Sequence, residues 1–224
     1  MADRHETITG DSLKVLVDRF YTSVRQDNLL APVFAAAIGT TDEEWQPHLE
    51  LITAFWVAVM LGTGGYTGNP LQAHRKLPPF NALLFGRWLA LFANTAHETH
   101  SIAPATLLIR KSVSMADAMS RDLYGAALSA PAMPVIPPAK QHYRSTPVFE
   151  TAGIPDALRR AHKTAAGVFA RIVVAKGRLL YTIGNEQTHI LTPDHPGVIE
   201  PGNLHFVTPL DDVTFTVEFY KEAG

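Results

Sequence analysis

The chain has 224 residues, 46% of them hydrophobic, and its 19 basic and 21 acidic side chains leave a formal net charge of −2 at pH 7. A chain of this size buries one sizeable core or two small ones, and its charge balance offers neither a basic field for nucleic acid nor a polybasic anchor for an acidic membrane. It contains no cysteine, which excludes disulfides, thiolate metal centres and cysteine nucleophiles. No run of about 18 apolar residues is present, and the start MADRHETITGD is too polar for a secretory signal, so the cytoplasm is the expected compartment.

From Asp11 to Gly125 the apolar residues recur at helical spacing. Leu13, Leu16, Val17, Phe20, Tyr21 and Val24 form one stripe. A short segment after Pro32 offers Phe34 and Ile38. Thr41 with Glu44 then forms a capping box for a helix toward Gly62. Pro47 predicts a kinked or separately wound first turn there, and beyond it His48, Ile52, Phe55, Trp56 and Val59 share a stripe. The loop LGTGGYTG is glycine-rich, and Gly64-Gly65 reads as a flexible connection. Asn69-Pro70 reads as an N-cap followed by a proline at the first helical position. That helix lasts about two turns before Pro78-Pro79 stop it, with Leu71, His74 and Leu77 on one face. Two long helices follow, one aligning Leu84, Trp88, Leu91 and Phe92, the other, opened by Pro104, aligning Ile109, Val113, Ala116 and Leu123.

After Phe149 the apolar period shortens to two. Strands are expected over 168–174, 179–183, 189–191, 198–199, 206–207 and 214–219, and the turn signals at Lys176-Gly177, Gly184-Asn185, Pro196-Gly197 and Pro201-Gly202 suggest a small barrel or sandwich. Between the two regions a Pro- and Ala-rich stretch favours an extended connection. The expected division is a helical domain over 1–126, a linker over 127–146 and a β domain over 147–224.

Tyr21, His48, His74 and Trp88 come from four helices, and each lies on its helix's apolar stripe. Singly, each reads as a core residue with a local partner. Together, with Phe34, Phe55, Trp56, Tyr66 and Phe80 around them, they suit a flat apolar ligand with one reactive centre, because buried polar tips need partners.

The pieces FYTSVRQDNLLAPVF, EEWQPHL, FWVAVMLGTGGYTGNPLQAHRKLPPF and RWLALF, in this order, resemble the group III truncated haemoglobins across the whole helical region. GNPLQAH followed by LPPF, with Trp88 fourteen residues beyond His74, carries most of that resemblance. It implies an all-α two-over-two helical sandwich around non-covalent haem b. His74 matches the axial iron ligand, and Tyr21, His48 and Trp88 match the cluster on the opposite side of the ring. Phe34, Phe55, Tyr66, Leu77 and Phe80 are the expected apolar surround. A second imidazole nitrogen needs an acceptor, often a backbone carbonyl, to fix its tautomer. A donor such as Tyr21 or Trp88 favours dioxygen over carbon monoxide. His48 is left open between donating, gating and swinging outward. Arg75 and Lys76 read either as propionate partners or as solvated charges.

The pieces RRAHKT, GVFARIVVAKGRLLYTI, HPGVIEPGNLH and FTVEFY resemble the small cupin-like domain found beside tellurite-resistance methyltransferases. That implies a small all-β barrel. Cupins commonly bind metal through a His-x-His strand motif, a later carboxylate and a His after a Pro-Gly turn; only the last has a counterpart here, His205. His162, His189, His195 and His205, with Glu200, are candidate ligands if they converge, but their spacing assigns no metal.

The resemblance thus points to a haem protein for dioxygen and related ligands such as nitric oxide and peroxide. Redox chemistry of the nitric oxide dioxygenase or peroxidase kind requires a separate reductase, since no dinucleotide-binding pattern is present. The alternatives are a haem-based sensor, or an oxygen supplier acting on the β domain as effector or small-molecule binder. Oligomeric state is not legible.

Overall fold

The computed structural model describes residues 4–222. It falls into two compact units, Met1–Ser129 and Ala130–Gly224, the first helical and the second antiparallel β.

The helical unit comprises α1 (Gly10–Gln26), α2 (Ala31–Ile38), α3 (Asp42–Leu61), α4 (Pro70–His74), α5 (Leu84–Thr99) and α6 (Ile102–Tyr124). Its elements start where the sequence provides caps. Thr9 and Ser12 close a capping box on α1, and Thr41 and Glu44 do the same on α3. The α1 stripe is buried in full. Helix α3 runs through Pro47 as one element, so its first turn is not separately wound. The proline lies in the second turn, where it forfeits one backbone hydrogen bond without ending the helix. The α1–α2 corner is fixed by Asp27: its Oδ1 accepts from the amides of Leu29 and Leu30, both at 3.0 Å, and its carboxylate pairs with Arg87 on α5 at 2.7 Å. No helix among the described residues is long and apolar enough to cross a membrane.

The β unit contains β1 (Lys140–Ser145), β2 (Phe149–Glu150), a short helix α7 (Asp156–Arg159), β3 (Phe169–Lys176), β4 (Leu179–Ile183), β5 (Gln187–Leu191), β6 (Gly197–Ile199), β7 (His205–Pro209) and β8 (Thr214–Glu222). One sheet has the order β1-β8-β3-β6, with β2 also paired to β8, and the other has the order β5-β4-β7. All ladders are antiparallel. The inner faces of both sheets share one core, with Ile172, Phe215 and Val217 from the first and Tyr181, Leu191 and Val207 from the second.

Two differences from the sequence reading have physical causes. Residues 140–145, expected in the linker, form the edge strand β1 against β8. Its sequence KQHYRS has no apolar alternation because five of its six side chains are exposed. Pro196-Gly197 is also not simply a turn, since Gly197 opens β6. A side chain there would meet Leu191 Cδ1 at 2.6 Å, so the glycine serves close packing as well as turning.

Candidate functional site

A cleft of about 250 Å³ opens in the helical unit and draws its walls from all six helices. Tyr21, His48, His74 and Trp88 all line it, as do Phe34, Phe55 and Trp56. Tyr66, Leu77 and Phe80 contribute from the segments flanking α4. Leu71, expected beside His74 and Leu77, does not line the cleft. Helix α4 has only five residues before the chain turns, so the two-turn face expected from sequence is not completed.

His74 is held by its own helix. Its Nδ1 lies 2.7 Å from the Pro70 carbonyl oxygen, and a carbonyl only accepts, so Nδ1 carries the hydrogen and Nε2 keeps the lone pair. Asn69 caps the helix by accepting from the Gln72 amide at 3.1 Å. Arg75, the next residue, donates through Nε to Asp122 Oδ2 at 2.7 Å and pairs through Nη2 with Asp122 Oδ1. The Arg75 side chain is largely exposed, as the solvated-charge reading expects, and it also fastens the end of α4 to α6. The Tyr124 hydroxyl donates to the Phe80 carbonyl at 2.5 Å, so α6 grips this segment at both ends.

Across the cleft, Tyr21 is 5% exposed and its ring meets His48 edge-on at 5.8 Å between centroids. Its hydroxyl has no hydrogen-bond partner among the described residues. Burial pushes that hydroxyl far above its ordinary pKa, so it remains a donor. His48 Nε2 is buried without a partner; burial, and then the nearby His74, hold this imidazole below its ordinary pKa and therefore neutral. The Trp88 ring stacks on Phe92 at 5.3 Å and meets Phe20 edge-on at 5.1 Å. Those contacts fix the indole plane beside the cleft.

In the glycine-rich loop Tyr66 packs edge-on against Phe55 at 5.1 Å. A side chain on Gly68 would stand 2.4 Å from the Tyr66 hydroxyl, so this glycine makes room for the ring. Sequence reasoning missed Met115 and Met119, which line the cleft from α6. Their four-residue spacing around Ala116, itself on the expected stripe, was the available signal.

The β-unit histidines converge only in part. His162 and His205 bring their ring centroids to 4.2 Å, and His189 lies beside Tyr181 at 6.2 Å. His195 is in the exposed turn after β5, and the Glu200 carboxylate accepts from Asn203 Nδ2 at 3.3 Å. No group of three or more metal-ligating side chains is arranged around a common point among the described residues.

A curated protein, the group 3 truncated haemoglobin ctb of Campylobacter jejuni, is 37% identical over 121 residues, which is 54% of this chain and 95% of that one. The crystal structure of the group III truncated haemoglobin from Campylobacter jejuni superposes with a TM-score of 0.53, covering 55% of this chain and 96% of that structure. The chain belongs to the group III truncated haemoglobins. Its membership covers the helical half. In this truncated haemoglobin, residues 144–217 match the TehB-like domain family. Crystalline TehB from Haemophilus influenzae is 28% identical where it aligns, covering 38% of this chain and 32% of that one, with a TM-score of 0.36.

Proposed function

We propose that the helical unit holds non-covalent haem b with His74 Nε2 as the axial ligand, and that the protein binds dioxygen or a related small molecule such as nitric oxide or peroxide. The observation that carries this reading is the fixed tautomer of His74. Its lone-pair nitrogen belongs to a ring lining an apolar cleft that also collects the unpartnered Tyr21 hydroxyl and His48 Nε2. The donor set fits the group, since a neutral imidazole with its other nitrogen on a backbone carbonyl is a good iron ligand. Haem supplies an iron centre that takes up diatomic ligands and exchanges electrons.

The remaining work falls to this chain's own side chains. The Pro70 carbonyl orients the His74 ring, and the Arg75–Asp122 and Tyr124–Phe80 contacts keep the segment from swinging away. Tyr21, fully protonated, and Trp88, a donor only, favour a guest that accepts a hydrogen bond, which selects dioxygen over carbon monoxide. His48 is neutral and sits against Tyr21, so it can orient the phenol or offer its own ring nitrogen. We assign the electrons for any nitric oxide or peroxide turnover to a separate reductase.

The test is optical. The purified chain, supplied with haemin, should take up one haem per chain and shift its Soret band on reduction and again with carbon monoxide. Failure to retain haemin at one equivalent would contradict the reading.

A further inference from the structure

The β unit contains a second cavity, of about 290 Å³, at the small end of the range for ligand sites. It lies between the two sheets: Ile172, Phe215 and Val217 line it from the first, Val207 and His205 from the second. His205 is 1% exposed. Its Nδ1 is 2.8 Å from the Asn203 carbonyl oxygen, so Nδ1 carries the hydrogen and Nε2 is a lone pair. That Nε2 is fully buried and has no partner among the described residues. A buried acceptor without a donor is costly, and the cavity is where a donor can come from. His162 repeats the arrangement, with Nδ1 2.9 Å from the Arg160 carbonyl. Reciprocal backbone hydrogen bonds of 3.0 and 2.9 Å between His162 and His205 keep the two imidazoles together. Burial first, opposed by the Asn203 carbonyl and aided by His162, holds His205 down at about 4, so it is neutral at pH 7.

The same cavity carries two cations. Arg144 reaches it from β1, on the sheet facing His205, with its guanidinium 4.7 Å over the Phe219 ring, and Lys163 follows His162. Neither has an acidic partner among the described residues, and no Asp or Glu lines the cavity. The walls therefore offer cationic donors, an apolar middle and imidazole acceptors.

We propose that this cavity binds a small organic hydroxy acid. The carboxylate pairs with Arg144 and Lys163, the hydrocarbon body packs on Ile172, Phe215 and Val217, and the hydroxyl donates to His205 Nε2. A simple carboxylate leaves the imidazole unpartnered, and a simple alcohol leaves the cations unpartnered. This assignment is independent of the haem reading.

The test is calorimetric titration of the full chain with 4-hydroxybenzoate and 6-hydroxyhexanoate, against benzoate, hexanoate and methyl 4-hydroxybenzoate. At least one hydroxy acid should bind one to one. It should bind about tenfold or more tighter than its counterpart lacking the hydroxyl or the charge, the scale of one charge-assisted or buried hydrogen bond. The double variant Arg144→Gln, Lys163→Gln alters only exposed side chains and should weaken binding by a similar factor with unchanged circular dichroism. His205→Phe should bring the hydroxy acid down to the affinity of its deoxy analogue; should that variant fail to fold, the double variant still decides. Absence of binding by both hydroxy acids, equal binding of the deoxy acids, or undiminished binding by the double variant would overturn the proposal. So would stoichiometric Zn²⁺ binding that His205→Phe abolishes and hydroxy acids do not displace, since the imidazole pair would then be a metal site.

Discussion

The Tyr21 ring is packed by Phe20, Phe34 and Trp45, yet its hydroxyl has no protein partner among the described residues, so packing and polarity can be separated by removing one oxygen. Tyr21→Phe keeps the ring and deletes one hydrogen bond to a partly charged guest, worth about 1.5–3 kcal/mol. Dioxygen release from the haem-loaded protein should then quicken by about ten- to a hundredfold, with a smaller effect on carbon monoxide. An unchanged off-rate, both in the native background and alongside Trp88→Phe, would return Tyr21 to core packing. On the other side of the cleft, the Arg75–Asp122 pair acts through position rather than contact. It is largely open to solvent, so its direct contribution to stability is small. Asp122→Asn should leave the melting temperature nearly unchanged while raising the haem dissociation rate severalfold. Equal loss of both would mean that the pair supports the fold at large and has no special hold on His74.

At the scale of elements, the short helix α4 matters most, because five residues cannot hold a helix by propensity alone. Its cap is Asn69, and Asn69→Ala should cost about 1 kcal/mol locally, read as weaker haem retention with little change in far-UV circular dichroism. Retention equal to wild type would show that the α6 contacts suffice. The starts of α3 and α4 were legible because Thr41 and Asn69 are capping residues placed before periodic apolar runs. The polar tips that meet in the cleft were legible because each interrupts such a run. Asp122 and Tyr124 were not legible, since contacts across more than forty residues leave no local pattern. Strand β1 was hidden for a different reason. An exposed edge strand has no buried face, so its sequence shows no period two, and the prolines before it read as linker. The pairing of His162 with His205 depends on a single backbone bridge between distant segments and is equally invisible in spacing.

For the molecule as a whole, two compact units predict that each folds on its own. Residues 1–129 expressed alone should fold and take up one haem; an insoluble or haem-free fragment beside a haem-binding full chain would mean that the helical unit depends on the rest. Stability should also depend on pH in a defined sense. Burial, and then His5, hold His100 at about 4 in the helical unit, and burial holds His205 at about 4 in the β unit, whereas an unfolded histidine titrates near 6.5. Between these values the unfolded chain binds more protons, so stability present above about 6.5 is lost as pH falls toward 4. The urea midpoint should be lower at pH 5.5 than at pH 7.5, and an equal or higher midpoint would contradict those assignments. The proposed haem binding depends on one nitrogen, His74 Nε2. The most direct measurement is the absorption spectrum of His74→Gly with haemin, before and after adding imidazole. The native ferrous and carbon monoxide spectra should be lost without imidazole and restored with it. A variant that keeps the native spectra unaided would show that His74 is not the ligand.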